Sequence, residues 1–223
     1  AVSSSGGCDS ELFALPKADP YSEIYLERNC WWRLIDPGLI DPAEHFSAGK
    51  AAGRSVGDSW SDAYLPNLVV AEDFHSNIGL TYHAATYSHY GADSARNSYL
   101  NIVWKTPQQV TLSRDELKES SAINATGWQA VRLAFTPGKD NSDPVRVAQG
   151  NGQVVFEIVA AAEPGDDTVP HNSGAGPFIR GNGKVRQSFR LQTMSEGHAG
   201  SYDDENIRQI TLHSISKIIA EAK

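Results

Sequence analysis

The chain has 223 residues, 40% of them hydrophobic, which is enough to bury a full core and is the composition of an ordinary globular protein rather than a disordered or fibrous one. Nineteen Lys and Arg stand against 27 Asp and Glu, a net charge of −8, so the basic face that nucleic-acid phosphates require is missing and no nucleic-acid partner is expected. No apolar run approaches the length that spans a bilayer.

The opening Ala1-Val2-Ser3-Ser4-Ser5-Gly6-Gly7 has neither a basic region nor an apolar core, and reads as an internal start or linker rather than a signal peptide. The two cysteines, Cys8 and Cys30, fit either a disulfide or a buried thiol at Cys30 beside Trp31-Trp32. Asp-Pro recurs at Asp19-Pro20, Asp36-Pro37 and Asp41-Pro42, which predicts short helices separated by turns, with Asp19 as a helix cap and Pro20 at the first helical position. From Trp60 to about Tyr90 the apolar residues Leu65, Leu68, Val69, Ala71, Phe74, Ile78 and Leu80 recur at helical intervals, and a helix is expected there. Residues 98–104 and 128–135 alternate enough to be strands. Gly150-Asn151-Gly152 is a strong turn before the strand Val154–Val159. A Gly-rich loop, Arg180–Lys184, precedes a strand over Val185–Met194. The last element starts at Asp203-Asp204-Glu205, acidic residues suited to a helix N-terminus, and carries Ile207, Ile210, Ser214, Ile215, Ile218 and Ile219 on one side.

Chemistry concentrates in the tail. Gly165-Asp166-Asp167-Thr168-Val169-Pro170 follows the apolar run Val154–Ala162, and His198, in Glu196-Gly197-His198-Ala199-Gly200, follows the apolar stretch Ser188–Met194. Strand, Asp turn, strand, His loop, helix is the order in which an α/β-hydrolase presents the last two members of a Ser–Asp–His triad. A nucleophile is harder to find. Gly53-Arg54-Ser55-Val56-Gly57 has the form Gly-x-Ser-x-Gly, but a nucleophile elbow follows a buried apolar strand, and Glu44-His45-Phe46-Ser47-Ala48-Gly49-Lys50 is not one. The overlapping Gly57-Asp58-Ser59 lacks both an apolar strand before it and an Asp-x-x-His near the C-terminus.

Asp19-Pro20-Tyr21-Ser22-Glu23-Ile24-Tyr25, Trp32-Arg33-Leu34-Ile35 with Asp41-Pro42-Ala43, the run Thr81–Asp93, Gly165–Pro170 with Ser173-Gly174, and Gly197–Asp204 together resemble the middle and end of bacterial type VI secretion lipase effectors. The resemblance implies an α/β fold, namely the C-terminal part of an α/β-hydrolase sheet plus a largely helical cap or insertion region. It implies a lipase or phospholipase that cuts carboxylic ester bonds of membrane lipids. It also implies manufacture in a bacterial cytoplasm, secretion, and action in the envelope of a rival bacterium, with an immunity protein as the producer's protection. In lipases with such a turn the Asp directly after the Gly is the triad acid, which points to Asp166 and leaves Asp167 as a turn residue bonding backbone amides. The departure from the family is the missing strand–Gly-x-Ser-x-Gly–helix half, so a segment bearing the nucleophile is an expected partner alongside the phospholipid and the immunity protein.

The expected organisation is a helical cap-like region over 1–97, a β-rich insertion over 98–150, and a hydrolase C-terminal part over 151–223 carrying Asp166 and His198. No cofactor is expected, and no metal, since His75, His83 and His89 match no zinc spacing. Trp31 and Trp32 with Tyr21 and Tyr25 suit a core, or else an acyl-binding surface. Two other readings stay open: a non-catalytic hydrolase-like module that binds a partner, and a self-contained esterase using Ser55.

Overall fold

A computed structural model describes residues 2–4, 10–41, 58–123 and 144–222. Among them the elements run β1 (Val2–Ser4), β2 (Ser10–Phe13), α1 (Leu65–Ile78), β3 (Thr86–Gly91), β4 (Asp93–Ser98), β5 (Trp104–Thr106), α2 (Arg114–Glu119), β6 (Val145–Gln149), β7 (Gly152–Ile158), β8 (Glu163–Gly165), α3 (His171–Gly174), α4 (Gly176–Arg180), β9 (Val185–Leu191) and α5 (Glu205–Glu221). Short π- or 3₁₀-helical turns lie at Tyr21–Tyr25, Pro37–Leu39, Trp60–Tyr64 and Ser201–Asp203. This is an α/β protein. No helix of the described residues is long and apolar enough to cross a membrane.

The chain forms two compact units, each discontinuous in sequence: Ala1–Phe74 with Ile102–Val159, and His75–Asn101 with Ala160–Lys223. They cross the boundaries expected at 97 and 150. β3 and β4, inside the segment read as helical, pair with β9 and β8 of the tail, while β7, assigned to the tail, belongs to the first unit's sheet.

In the first unit the strand order is β2-β1-β5-β7-β6. β6 and β7 form an antiparallel hairpin through Gly150, whose φ of 56° is the left-handed conformation that a tight turn demands and glycine tolerates. Alternation puts Val145, Val147, Val154 and Phe156 inside at 0% exposure. Trp31 stacks on Phe156 with ring centroids 4.4 Å apart and donates its indole N–H to the Leu117 carbonyl at 2.8 Å, so burial leaves the indole nitrogen paired. Trp32 donates to the Lys118 carbonyl at 2.7 Å and packs against the same cluster. Trp31 is core, and Trp32 lies half-buried at the edge of it. Fully burying a large apolar side chain such as Phe156 contributes roughly 1.5–3 kcal/mol. α2 begins with a capping box, Ser113 and Glu116 each bonding the other's backbone, and it points Leu117 into the core.

The turns at Asp19-Pro20 and Asp36-Pro37 form where the sequence put them, and the expected turn at Asp41-Pro42 lies outside the described residues from Pro42 on. Asp19 accepts from the Tyr21 and Ser22 amides, both at 3.0 Å, and starts a single wide turn, Tyr21–Tyr25. Asp36 caps the turn Pro37–Leu39. Cys30 is a free, buried thiol, and burial, first of several causes, pushes its pKa up to about 12. Cys8 lies outside the described residues, as do Ser55 with the whole Gly53–Gly57 motif and the expected strand 128–135.

Two expectations fail. The helix foreseen from Trp60 to about Tyr90 is a π turn continued by α1, and it ends at Ile78 with Gly79 following. Thr86–Gly91 is instead a strand, because Thr86, Tyr87 and Tyr90 suit a pleated surface and β9 supplies a parallel partner. Residues 98–104 are not one strand either: β4 stops at Ser98 and β5 starts at Trp104, with Tyr99, Leu100 and Ile102 exposed between them.

The second unit holds the parallel pair β3–β9, the antiparallel pair β4–β8, and α5. Leu191, Met194 and Ile207 are its buried cluster, with Ile210 against them. Asp204 caps α5, accepting from the Asn206 and Ile207 amides at 2.8 and 3.4 Å, as the acidic start of that helix foretold. Ile207 is buried and Ile210 half-buried, but Ile215, Ile218 and Ile219 further along the same side are exposed.

Candidate active site

Two loops of the second unit meet. The first follows β8 and carries Asp166 and Asp167; the second follows β9 and carries His198. The His198 backbone amide donates to the Asp166 carbonyl at 2.8 Å, and His198 Nδ1 lies 2.8 Å from Asp166 Oδ2. Asp166 Oδ1 accepts from the Val169 amide at 2.7 Å and the Thr168 amide at 3.1 Å. The carboxylate is thereby fixed in rotation, one oxygen on its own turn and the other on the imidazole. Burial by itself would raise the Asp166 pKa, but the hydrogen bonds from His198, Val169 and Thr168 outweigh it and hold the carboxyl below its ordinary 3.8. It is ionised at neutral pH, and an ionised acceptor at Nδ1 favours the tautomer with the proton there.

The His198 side chain is 50% exposed, and its Nε2 makes no hydrogen bond among the described residues. An imidazole held at Nδ1 and open at Nε2 can take a proton from an incoming hydroxyl.

Asp167 differs from its expected role. Its φ of 72° puts it in the left-handed region, which Asp tolerates better than most residues, and so makes the turn possible. The backbone amides, however, are bonded by Asp166, while the Asp167 side chain turns to Arg96, with Oδ2 3.2 Å from Nη1.

Three residues that the sequence did not single out for the site surround the His loop. Arg96 donates from Nη2 to the Ser195 carbonyl at 2.8 Å and from Nε to the Met194 carbonyl at 3.3 Å. Asp93 accepts from the Met194 amide at 3.0 Å and the Ala95 amide at 2.8 Å. Asp204, besides capping α5, accepts from the Ser195 amide at 2.8 Å and hydroxyl at 2.9 Å. These bonds hold the carboxyls of Asp93 and Asp204 below the ordinary range. The signal available for Asp204 was its place before a helix; for Asp93 and Arg96 there was none, since their partners are about a hundred residues away. Gly91 gives Asp166 room, because a β-carbon on it would stand 2.7 Å from both the Asp166 Cβ and the Met194 sulfur.

The remaining candidates have other surroundings. Asp58 pairs with Arg28 at 3.0 Å and accepts from the Trp60 amide at 3.2 Å. His83 accepts from the Ala85 amide, and His89 meets Tyr202 edge to face. Among the described residues no group of three His, Cys, Asp or Glu side chains is placed to hold a metal ion.

No protein-family model and no curated protein sequence matches the chain. Its fold matches a chain in a solved structure described as the crystal structure of the Tle4–Tli4 complex, with a TM-score of 0.64 at 22% identity, covering 100% of this chain and 43% of that one. The chain thus spans less than half the length of the protein it matches.

Proposed function

We propose that the chain supplies the acid and base of a lipolytic serine hydrolase, an antibacterial type VI secretion effector whose nucleophilic serine lies on a segment outside these 223 residues. The observation that carries the reading is the 2.8 Å contact between Asp166 Oδ2 and His198 Nδ1, made by a carboxylate already fixed by two amides of its own turn. The sequence resemblance to lipase effectors supports it, and so does the fold shared with a chain of the Tle4–Tli4 complex. By the same resemblance the substrate is a phospholipid at a membrane surface, the partners include an immunity protein, and the site of action is the envelope of a target bacterium.

In the assembled enzyme His198 Nε2 takes the proton of the serine hydroxyl as its oxygen bonds to the ester carbonyl carbon. The imidazolium then gives that proton to the departing alkoxide, leaving an acyl-enzyme; a water deprotonated by the same nitrogen attacks the acyl carbon, and the imidazolium returns the proton to the serine oxygen as the fatty acid is released. Asp166 remains ionised throughout, holding the ring in its working tautomer and stabilising its charged form.

The test is fluorophosphonate labelling read by intact mass, on this chain alone and joined to its upstream segment. Labelling only in the joined protein, on a serine of the added segment, is the expected result. Labelling of the isolated chain that disappears in Ser55→Ala would replace this reading with a self-contained esterase. Absence of labelling and of esterase activity in the joined protein would leave a partner-binding module.

A further inference from the structure

We propose that Arg96 is the positioning residue of the Asp166–His198 pair, a single guanidinium that clasps the Asp loop to the His loop. The inference rests on the proposed role of that pair. β4 and β8 pair irregularly: Asp93 lies opposite Gly165 and Asn97 opposite Pro164, so the three residues between bulge out beside the Asp turn. Bulges of this kind re-aim side chains next to functional sites. The Asp167 amide donates to the Arg96 carbonyl at 3.1 Å, fixing the bulge to the turn through the backbone.

The side chain then reaches in two directions. Nη1 meets the Asp167 carboxylate at 3.2 Å, and Nη2 and Nε take the carbonyls of Ser195 and Met194. These partners flank the pair on both sides: Asp167 follows Asp166, and Ser195 lies three residues before His198. The planar fork matters because three donors in fixed directions define the separation of the loops, whereas an ammonium on a flexible stem does not. The ion pair itself is open to water, with side-chain exposures of 27% for Arg96 and 47% for Asp167, so its worth lies in placement rather than stability.

The test reads the imidazole nitrogens of His198 by long-range ¹H–¹⁵N spectra, assigned with His198→Gln, in the 223-residue chain and its variants. In the parent the neutral ring should carry its proton on Nδ1. In Arg96→Met the ratio of Nδ1–H to Nε2–H forms should fall by about 2- to 30-fold, the range open to a residue acting through its neighbours. Arg96→Lys, which keeps the charge without the fork, should fall between. An unchanged ratio in folded Arg96→Met would make Arg96 merely structural and overturn the clasp. Should that variant not fold, Arg96→Lys and Asp167→Asn decide, and an unchanged ratio in both overturns it equally. A parent ring protonated on Nε2 would instead overturn the role of the Asp166–His198 pair, and the clasp with it.

Discussion

Gly197 lies against the Asp167 carboxylate so closely that a β-carbon on Gly197 would overlap Oδ2 and stand 2.8 Å from the carboxyl carbon. The residue just before His198 and the residue just after Asp166 are therefore matched in shape. The obstructing atoms are the end of a half-exposed side chain, which can rotate away at the expense of its bond to Arg96. Gly197→Ala should accordingly cost about 1 kcal/mol or less in urea unfolding, within the ordinary range for single substitutions. On the proposed function, esterase activity of the joined protein should fall about tenfold or more, since small displacements of an acid–base pair are amplified in rate. A stability loss of several kcal/mol, or full activity, would show that the two residues do not meet as described.

The two aspartates are separable by kinetics. If the proposed function holds, Asp166→Asn should lower kcat of the joined protein by about 10⁴, through loss of the carboxylate that selects the Nδ1–H tautomer, and His198→Ala by at least as much. Asp167→Asn, which keeps a residue tolerant of the left-handed turn, should cost about tenfold or less. The reverse order would move the triad acid to Asp167.

Acid should loosen the His loop. Asp93, Asp166 and Asp204 all have folded pKa values below 3.8, through bonds from the Ala95 and Met194 amides, from His198, Val169 and Thr168 against burial, and from Ser195 respectively. A carboxyl with a depressed folded pKa contributes its full stability above 3.8, and that contribution is lost as pH falls through the folded value. Exchange protection of the Met194, Ser195 and His198 amides, corrected for intrinsic rates, should therefore be flat above about pH 5 and decline below 3.8. Asp204→Asn should lower Ser195 protection at neutral pH and flatten its decline. Protection that rises on acidification would contradict this sign.

Cys30 should be inert in the folded protein. A thiol pushed from 9.0 to about 12 has roughly 10³-fold less thiolate at a given pH. In a Cys8→Ser background, reaction with a disulfide reagent at pH 8 should be slower by about that factor than in urea. A fast native reaction would show that Cys30 is not enclosed.

What the sequence determined on its own was local. Gly150-Asn151-Gly152 specified the turn before β7, and the apolar run from Val154 specified the strand itself, since turn chemistry and β-branched composition are written in neighbouring residues, whereas the pairing with β6 was not read there. Asp204 before α5 and the turns at Asp19 and Asp36 were legible for the same reason, as was the order of an Asp turn and a Gly-flanked His, each after an apolar stretch. Tertiary structure decided the rest. Thr86–Gly91 is a strand because β9, about a hundred residues on, lies beside it, whereas the helix expected from the spacing of Leu65 to Leu80 extends across it. Asp166 rather than Asp167 faces His198 because the left-handed φ at Asp167 turns the two side chains apart. Arg96 joins the loops because a bulge formed against Pro164 and Gly165 aims it there. Register and bulges depend on pairing between distant segments, and that pairing exists only once the chain has folded.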